Sequence, residues 1–501
     1  MGRTLAVTAR DAARAARPIP GVDYLVCEWD VAALLPLALV EGQLRSIDLS
    51  KYERLILPGG VNFDVRELER RVGVPCFRGP THIGDLPWVI ERGLALSKDV
   101  PAEKLHERAM AEEAARIVAD AERKGRVWGR LRIGGMARVI GEIVDAPRMD
   151  DEEVAARAEY FKQEGASVID IGMIANEDNS GEVARLVEAA RRSGLPVSVD
   201  TMHEREMLAA ADAGADLLLS LTLDTLELAP SLGMPCVIIP GKNGRIAKGV
   251  WEKVGWLEEA GQKLRKMGFE RYIADPILEP VGAGFADSLL AYYHFRHRNP
   301  DVPLLMGVGN VVELFDADSV GMNALLAGFG SEIGVEFLFA PEKSPKARGS
   351  VRELAAAARL LCVARERGSM PKDLGFSVLA LKEKRERPGV AIPADEVVEA
   401  KAGEPRYDRG RFKIFLTDRI NVVWEEGGKR ILFAGSNASD VGMAIARDER
   451  VKISTEHAVY LGRELAKAEL CLLLHKSYVQ DEPMEWGIYA AQRMDEGVRK
   501  D

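Results

Sequence analysis

The sequence lacks the features that mark secreted, membrane-spanning or nucleic-acid-binding proteins. Its five cysteines are far apart, odd in number and without a Cys-x-x-Cys pair, so neither a disulfide framework nor a structural zinc site is predicted. No apolar run reaches the roughly 18–20 residues that cross a bilayer, and no apolar signal segment follows the first residues. A net charge of −10 disfavours nucleic acid as a partner. We therefore expect a cytoplasmic protein that binds neither membrane nor nucleic acid.

The 501 residues are too many for one ordinary core, and their pattern changes along the chain. Residues 1–100 alternate short apolar strands with helix-like stretches and predict an N-terminal α/β domain. Residues 101–136 predict a helical connector, with one helix over 101–124. Residues 370–408 are charged and rich in Pro and Gly, which predicts a linker. Residues 409–501 predict a C-terminal α+β domain with a Gly-Gly hairpin and a long helix.

Residues 137–369 carry eight apolar, strand-like runs separated by amphipathic stretches of helical length. The runs are residues 138–144, 167–172, 196–200, 216–220, 235–239, 272–275, 303–307 and 334–339. Continuous apolar strands that alternate with helices indicate a parallel sheet. Eight such units predict a closed (β/α)8 TIM barrel, with an open doubly wound sheet as the alternative. The predicted fold class is thus α/β, a central TIM barrel flanked by a small domain on each side.

Polar side chains stand at the ends of most of these strands, where a barrel of this kind builds its active site. They are Glu142, Asp170, Asp200, Ser220, Lys242, Asp275, Asn310 and Glu336, followed in the last loop by Lys343, Lys346 and Arg348. Several acids at one mouth are costly unless they bind something. A ring edge rich in N–H groups suits them better than a metal, because only one histidine, His203, lies in these loops. We assign no metal ligand, and single positions such as Asp200 could instead cap a helix.

Three segments resemble the pterin-binding enzymes, a family that includes dihydropteroate synthases and the methyltransferases that serve corrinoid proteins. The segments are GASVIDIGMIANED, LPVSVDTMHEREMLAAADAGADLLLSLT and YIADPILEPVGAGF, and the resemblance covers roughly residues 137–365. The resemblance implies that Asp200 and Asp275 hydrogen-bond the pterin. Ser220 stands near the family's strand-four Asn, and Asp170 joins them as a pterin-binding candidate.

The two branches of the family imply different reactions. The strand-seven and strand-eight cationic motifs of the synthases are absent, although Lys343, Lys346 and Arg348 could substitute as an anion-binding group. Glu142 after Gly141, and Asn310 after strand seven, look closer to the methyltransferases. That likeness would place Asn310 near the pterin N5.

The three-part layout, with HAVYLGRELAKAELCLLLHKSYVQDEP near its end, resembles the dihydropteroate synthase-related proteins of microbes that use tetrahydromethanopterin. This implies a transferase that joins a hydroxymethyl-dihydropterin pyrophosphate to an arylamine in folate or tetrahydromethanopterin biosynthesis. Glu142, Lys242 and Asn310 are the catalytic candidates, and Mg²⁺ is the expected cofactor.

Two alternatives to this reaction stay open. One is a reduced-pterin methyltransferase with a corrinoid partner, for which His457 is a candidate cobalt ligand or only a packing residue. The other is a non-catalytic pterin-binding protein. Analogy with other barrels suggests a homodimer.

Overall fold

A computed structural model of the chain describes residues 3–384, 398, 410–484 and 486. The chain divides into two compact units, Met1–Arg385 and Glu386–Asp501, which are taken in turn. The first unit contains an N-terminal parallel sheet and the barrel. The predicted fold class is confirmed, whereas the predicted domain boundaries stay predictions.

The N-terminal sheet has four parallel strands in the order β2-β1-β3-β4. The strands are Arg3–Ala9 (β1), Val22–Cys27 (β2), Tyr52–Leu57 (β3) and Cys76–Arg78 (β4). The helices that connect and follow them are Arg10–Ala13 (α1), Leu37–Leu44 (α2), Val65–Val72 (α3) and Leu86–Glu91 (α4). Apolar clusters lie on both faces of the sheet, as expected for a parallel α/β layer structure.

The connector differs from its prediction in two ways. The single helix expected over residues 101–124 is broken at His106 into Ala102–Leu105 (α5) and Glu107–Arg123 (α6). The His106 ring forms a hydrogen bond of 2.8 Å with the Ala95 carbonyl oxygen, which stabilises the interruption between the two helices. An antiparallel hairpin that was not predicted, Arg126–Trp128 (β5) and Leu131–Ile133 (β6), then leads into the barrel.

Eight parallel strands form the barrel. They are Arg138–Ile143 (β7), Val168–Gly172 (β8), Val197–Asp200 (β9), Leu217–Leu221 (β10), Cys236–Ile238 (β11), Tyr272–Ala274 (β14), Leu305–Gly307 (β15) and Phe337–Ala340 (β16). Their order is β14-β11-β10-β9-β8-β7-β16-β15, and a parallel bridge between Ala274 and Leu304 joins the two ends of the sheet. A small hairpin, Gly241–Lys242 (β12) and Arg245–Ile246 (β13), follows the fifth barrel strand. The strand count therefore matches the prediction of eight.

Nine helical segments follow the strands of the barrel. They are Asp151–Gln163 (α7), Val183–Arg191 (α8), Glu204–Asp212 (α9), Ala229–Leu232 (α10), Gly249–Lys266 (α11), Phe285–Arg298 (α12), Gly309–Val312 (α13), Ser319–Ile333 (α14) and Ser350–Arg367 (α15). Their apolar faces pack on the outside of the strands in the largest core cluster. Inside the barrel, Leu131 and Ile133 of the hairpin β5–β6 join residues of the strands in a second cluster. The interior is thus filled below the mouth.

The prediction that Glu336 lies within the last strand is wrong, because this strand begins at Phe337. Its carboxylate binds Arg296 at 2.8 Å and the backbone N–H of Leu304 at 2.7 Å. Leu304 precedes β15, so these contacts lie at the N-terminal end of the barrel. Glu336 is therefore no part of the mouth.

The second unit has the predicted three strands and long helix, with an additional helix between them that was not predicted. An antiparallel sheet in the order β17-β18-β19 is followed by two helices. These elements are Arg411–Leu416 (β17), Ile420–Glu426 (β18), Lys429–Gly435 (β19), Ala438–Arg447 (α16) and Thr455–Leu473 (α17). Gly427 and Gly428 have φ of 56° and 79°, the left-handed backbone that a two-residue hairpin needs. His457 is buried, and its ring packs edge-on against Phe412.

The predicted linker is only partly described. Leu374 is fully buried in a cluster with residues of α6 and α15, so the first part of the segment packs on the barrel. Residues 385–397 and 399–409 lie outside the described residues. Among the residues that the structure describes, no helix is both long and apolar enough to cross a membrane.

Candidate functional site

Three carboxylates from adjacent strands meet at the C-terminal mouth of the barrel. Glu142 lies in β7, Asp170 in β8 and Asp200 at the end of β9, and the parallel register pairs Glu142 with Asp170. One oxygen atom from each residue lies within 4.8 Å of an oxygen atom of the other two. We call these three residues the carboxylate triad. The sequence predicted several acids at one mouth, and the sheet brings these three together.

Hydrogen bonds and a glycine define the geometry of the triad. Ser198 donates its hydroxyl to Asp170 Oδ1 at 2.5 Å, and Ser220 donates to Asp200 Oδ1 at 2.5 Å. A Cβ atom at Gly172 would lie 2.4 Å from Glu142 Oε1, so the carboxylate occupies space that only glycine leaves. Asp170 is fully buried, and its Oδ2 atom has no hydrogen-bond partner among the described residues.

Burial and mutual repulsion make the triad hard to ionise completely. Burial, then the nearby charge of Asp200, raises the pKa of Glu142 to about 8. Burial, followed by the charges of Asp200 and Glu142, raises the pKa of Asp170 well above its usual value. Burial also raises the pKa of Asp200, against the hydrogen bond from Ser220. An uncompensated negative charge is therefore costly here, and a cation or an N–H-rich ligand would relieve it.

Ser220 stands at an irregularity in β10 beside a cavity. The register between β10 and β11 shifts between Leu218 and Leu221, and Ser220 has a left-handed φ of 67°. Such bulges re-aim a side chain near active sites. A cavity of about 360 Å³ is lined by Asp200 and Ser220 together with Met173 and residues of the two neighbouring loops. Its volume falls in the range of small-molecule pockets.

Asp275 follows β14 and accepts two hydrogen bonds on one oxygen atom. The Tyr292 hydroxyl and the Ile277 backbone N–H both donate to Asp275 Oδ1, the latter at 2.8 Å. Burial raises the pKa of Asp275 to about 6, while these donors and Lys253 lower it. The carboxylate is partly exposed, so it is held in place and still accessible.

The predicted cations are mostly paired. The Lys242 ammonium binds Glu259 on α11 at 2.8 Å, and its catalytic role stays a prediction. Lys346 binds Asp316 at 2.8 Å, and its place in the anion-binding group also stays a prediction. Lys343 is exposed and lies 3.5 Å from Asp145, after β7.

Lys343 is the predicted cation that affects the triad, since its charge lowers the pKa of Glu142 against the effect of burial. Arg348 is exposed in the same loop. The Asn310 amide donates to the Leu278 carbonyl at 2.9 Å, so it holds the loop after β14. Asn310 and Asp275 thus act on the same loop from two sides.

Sequence reasoning missed three residues that support the site, namely Ser198, Tyr292 and Lys253. Helical periodicity contains a signal for two of them. Lys253 lies on the same buried face of α11 as Leu257 and Leu264, and Tyr292 lies on the buried face of α12. A lysine on an apolar helix face is a recognisable anomaly.

The triad fits the Mg²⁺ that the family resemblance implies. Carboxylate oxygens are the ligands that hard divalent cations prefer, and neighbouring oxygens around Mg²⁺ lie about 3 Å apart. The triad oxygens, which lie within 4.8 Å of one another, would close around a bound ion. The buried Asp170 Oδ2 atom without a partner is the observation that favours a ligand there.

Two family models match the chain in sequence. The model described as "Pterin binding enzyme" matches residues 143–324, and the model PterinBD-DUF4346 matches residues 407–481. The chain is similar to the uncharacterized protein MJ0107 of Methanocaldococcus jannaschii, with 34% identity over 495 residues, 92% of this chain and 94% of that protein. It is also similar to the uncharacterized protein ycf91 of Pyropia yezoensis, with 45% identity over 53 residues, 10% of this chain and 45% of that protein.

Among solved structures, the chain resembles the Yersinia pestis dihydropteroate synthase with a pterine-sulfa conjugate. The TM-score is 0.39 at 18% identity, covering 48% of this chain and all of that one. The Xanthomonas albilineans dihydropteroate synthase in complex with 7,8-dihydropteroate gives a TM-score of 0.36 at 22% identity, covering 47% of this chain and 95% of that one. The family match includes Asp170, Asp200 and Asp275, and it begins directly after Glu142. The chain belongs to the pterin-binding enzyme family.

Proposed function

We propose that the barrel binds a reduced pterin and transfers its C6 methylene group to an arylamine, as a dihydropteroate synthase-like transferase. The observation that carries this proposal is Asp200, which lines a cavity at the barrel mouth in a chain of the pterin-binding family. Asp275 follows β14 at the same mouth, and the charge of Asp200 raises its pKa. An aminopyrimidinone edge presents adjacent N–H groups, and a carboxylate accepts such groups in pairs. Asp170 and Ser220 would support Asp200 in this contact.

The proposed reaction is a displacement at the methylene carbon. The arylamine nitrogen attacks that carbon, the bond from carbon to the pyrophosphate oxygen breaks, and the nitrogen loses a proton. The protein contributes orientation of the pterin and stabilisation of the leaving anion. Lys343 is the first candidate to meet the anion, because its pair with Asp145 is exposed and therefore weak. Mg²⁺, held by the triad oxygens that the pterin does not occupy, would supply positive charge for the pyrophosphate.

Pyrophosphate release tests the reaction directly. Purified full-length protein with Mg²⁺ is incubated with the pterin pyrophosphate and a panel of arylamines, and pyrophosphate is measured. Asp275→Asn should lower pterin affinity about 10- to 100-fold, since it removes a charged acceptor. The matched control is Glu159→Gln, which changes a surface acid on α7. Failure to release pyrophosphate with any amine contradicts the transfer, and tight pterin binding without turnover supports a non-catalytic protein.

A second candidate function is methyl transfer between a reduced pterin and a corrinoid partner. The observation that favours it is the pairing of Lys242 and Lys346 with carboxylates, because a methyl-pterin carries no pyrophosphate to be bound. The measurement is the absorbance change of added methylcobalamin with the reduced pterin. An unchanged spectrum contradicts this candidate and leaves arylamine transfer unaffected.

A further inference from the structure

A buried lysine braces the loop that carries Asp275. Lys253 lies on α11, is fully buried, and donates its ammonium to the Ile277 carbonyl oxygen at 2.8 Å. The same ammonium lies 3.0 Å from Glu279 Oε1. Burying an ammonium costs several kcal/mol unless it is paired and hydrogen-bonded. Both contacts of Lys253 lie in the loop after β14, so the buried ammonium stabilises this loop.

That loop contains a strained residue. Ile277 has a φ of 61°, a left-handed conformation that is a genuine outlier for a β-branched side chain. Such strain persists only where the surrounding structure holds it, and it concentrates at functional sites. The carbonyl of Ile277 is held by Lys253, and the neighbouring carbonyl of Leu278 is held by Asn310 at 2.9 Å. Two side chains from different elements thus fix this turn.

The turn at Ile277 binds one oxygen atom of Asp275. The Ile277 N–H donates to Asp275 Oδ1, where the Tyr292 hydroxyl also donates. Among the described residues, both hydrogen bonds that Asp275 accepts go to Oδ1. The Oδ2 atom is therefore the one available to accept from a ligand.

We propose that Lys253 is a positioning residue that fixes the Asp275 carboxylate for pterin recognition by clamping the Ile277 turn. The proposal rests on the proposed pterin site but concerns a residue that would not touch the pterin. Its charge has a second effect, because Lys253 lowers the pKa of Asp275 against the effect of burial. The other groups that act on Asp275 are Tyr292 of α12, which lowers this pKa, and Asp200 of β9, which raises it. Lys253 thereby favours the ionised form of the acceptor, together with Tyr292 and the Ile277 N–H.

The test compares Lys253→Met and Lys253→Gln with the control Lys263→Met, an exposed lysine on the same helix. Pterin affinity is measured from pH 5 to 8 by fluorescence quenching with the full-length protein. We expect Lys253→Met to weaken binding roughly tenfold at pH 7.5. We expect the acidic midpoint to rise by about half a unit or more, since a nearby positive charge is lost. The glutamine variant, which can still donate to Ile277, should keep more affinity but show the same shift in midpoint.

A measurement without pterin keeps this inference separate from the proposed function. The Asp275 carboxyl carbon, ¹³C-labelled and assigned with Asp275→Asn, is titrated by NMR in each variant. A higher midpoint in both Lys253 variants than in Lys263→Met supports positioning even if the wild type binds no pterin. Equal midpoints overturn the proposal, because a purely structural lysine would lower the melting temperature without moving the titration of Asp275. If the methionine variant does not fold, the glutamine variant carries the same comparison.

Discussion

Replacing Glu142 by glutamine tests whether the triad binds a divalent cation. The substitution keeps the shape of the side chain and removes one of three carboxylates whose oxygen atoms lie within 4.8 Å of one another. Losing a residue that only orients a metal ligand typically costs 10- to 100-fold in affinity, so losing a ligand should cost about 100-fold or more. We expect Mn²⁺, used as a probe for Mg²⁺, to bind the wild type and to bind Glu142→Gln at least about 100-fold more weakly.

Stability provides a second measure of the same binding. A cation present at 100 times its dissociation constant adds about 2.7 kcal/mol to the free energy of unfolding. For a unit of this size that corresponds to a rise of roughly 3 °C in melting temperature. The variant should show almost none of this rise at the same concentration. Without the cation, Glu142→Gln should have a higher melting temperature than the wild type, because removing one carboxylate relieves repulsion within the triad.

Electron paramagnetic resonance of free Mn²⁺ gives the affinity, and differential scanning calorimetry gives the melting temperature. The control is again Glu159→Gln, a surface acid of α7 whose loss should leave both values unchanged. Equal Mn²⁺ affinity in Glu142→Gln and the wild type would refute the metal site. The triad would then be a set of carboxylic acids that share protons or bind an N–H-rich ligand alone.

Two further substitutions separate the site from the fold. Gly172→Ala would place a Cβ 2.4 Å from Glu142 Oε1, so we expect the fold to survive while Mn²⁺ affinity falls as in Glu142→Gln, measured by the same resonance assay. Arg367 and Asp85 form an ion pair whose side chains are 5% and 4% exposed, so Arg367→Met leaves the Asp85 carboxylate without its partner. Urea unfolding at pH 8 should show that the free energy of unfolding falls by about 3–5 kcal/mol. Burial already raises the pKa of Asp85 to about 6, so its folded form keeps a proton that the unfolded chain loses near pH 4; stability from this group falls as pH rises through that interval. The loss caused by Arg367→Met should therefore be smaller at pH 5, and an equal loss at both pH values would contradict this account.

The mouth of the barrel could be predicted from the sequence because parallel strands impose a simple rule. An acid at the end of an apolar run must lie at the carboxyl edge of the sheet, next to the acids of neighbouring runs. Glu142, Asp170 and Asp200 met this condition, and the structure places them together. Their distances could not be predicted, because the side-chain space at Gly172 and the bulge at Ser220 depend on register.

The supporting residues were harder to find for a physical reason. Lys253 and Tyr292 come from helices outside the barrel, and nothing in a strand pattern links them to Asp275. Ile277 adopts a left-handed backbone that isoleucine disfavours, so its conformation is set by tertiary contacts rather than by local preference. The prediction for Glu336 was wrong for a different reason. The last barrel strand begins at Phe337, so Glu336 precedes it and lies at the other end of the barrel.

The charge of the mouth separates the two proposed reactions. Burial and mutual repulsion already raise the pKa of Glu142 and Asp170, so a pyrophosphate beside them would add negative charge where it is costly unless a cation lies between them. A methyl-pterin carries no such anion, and its binding should not depend on a cation. We therefore expect Mg²⁺ to raise affinity for the pterin pyrophosphate at least about tenfold if the barrel performs arylamine transfer, while leaving affinity for the hydroxymethyl-pterin unchanged. Calorimetric titrations of both ligands, with and without Mg²⁺, measure this difference, and equal effects on the two ligands would contradict a pyrophosphate role for the triad.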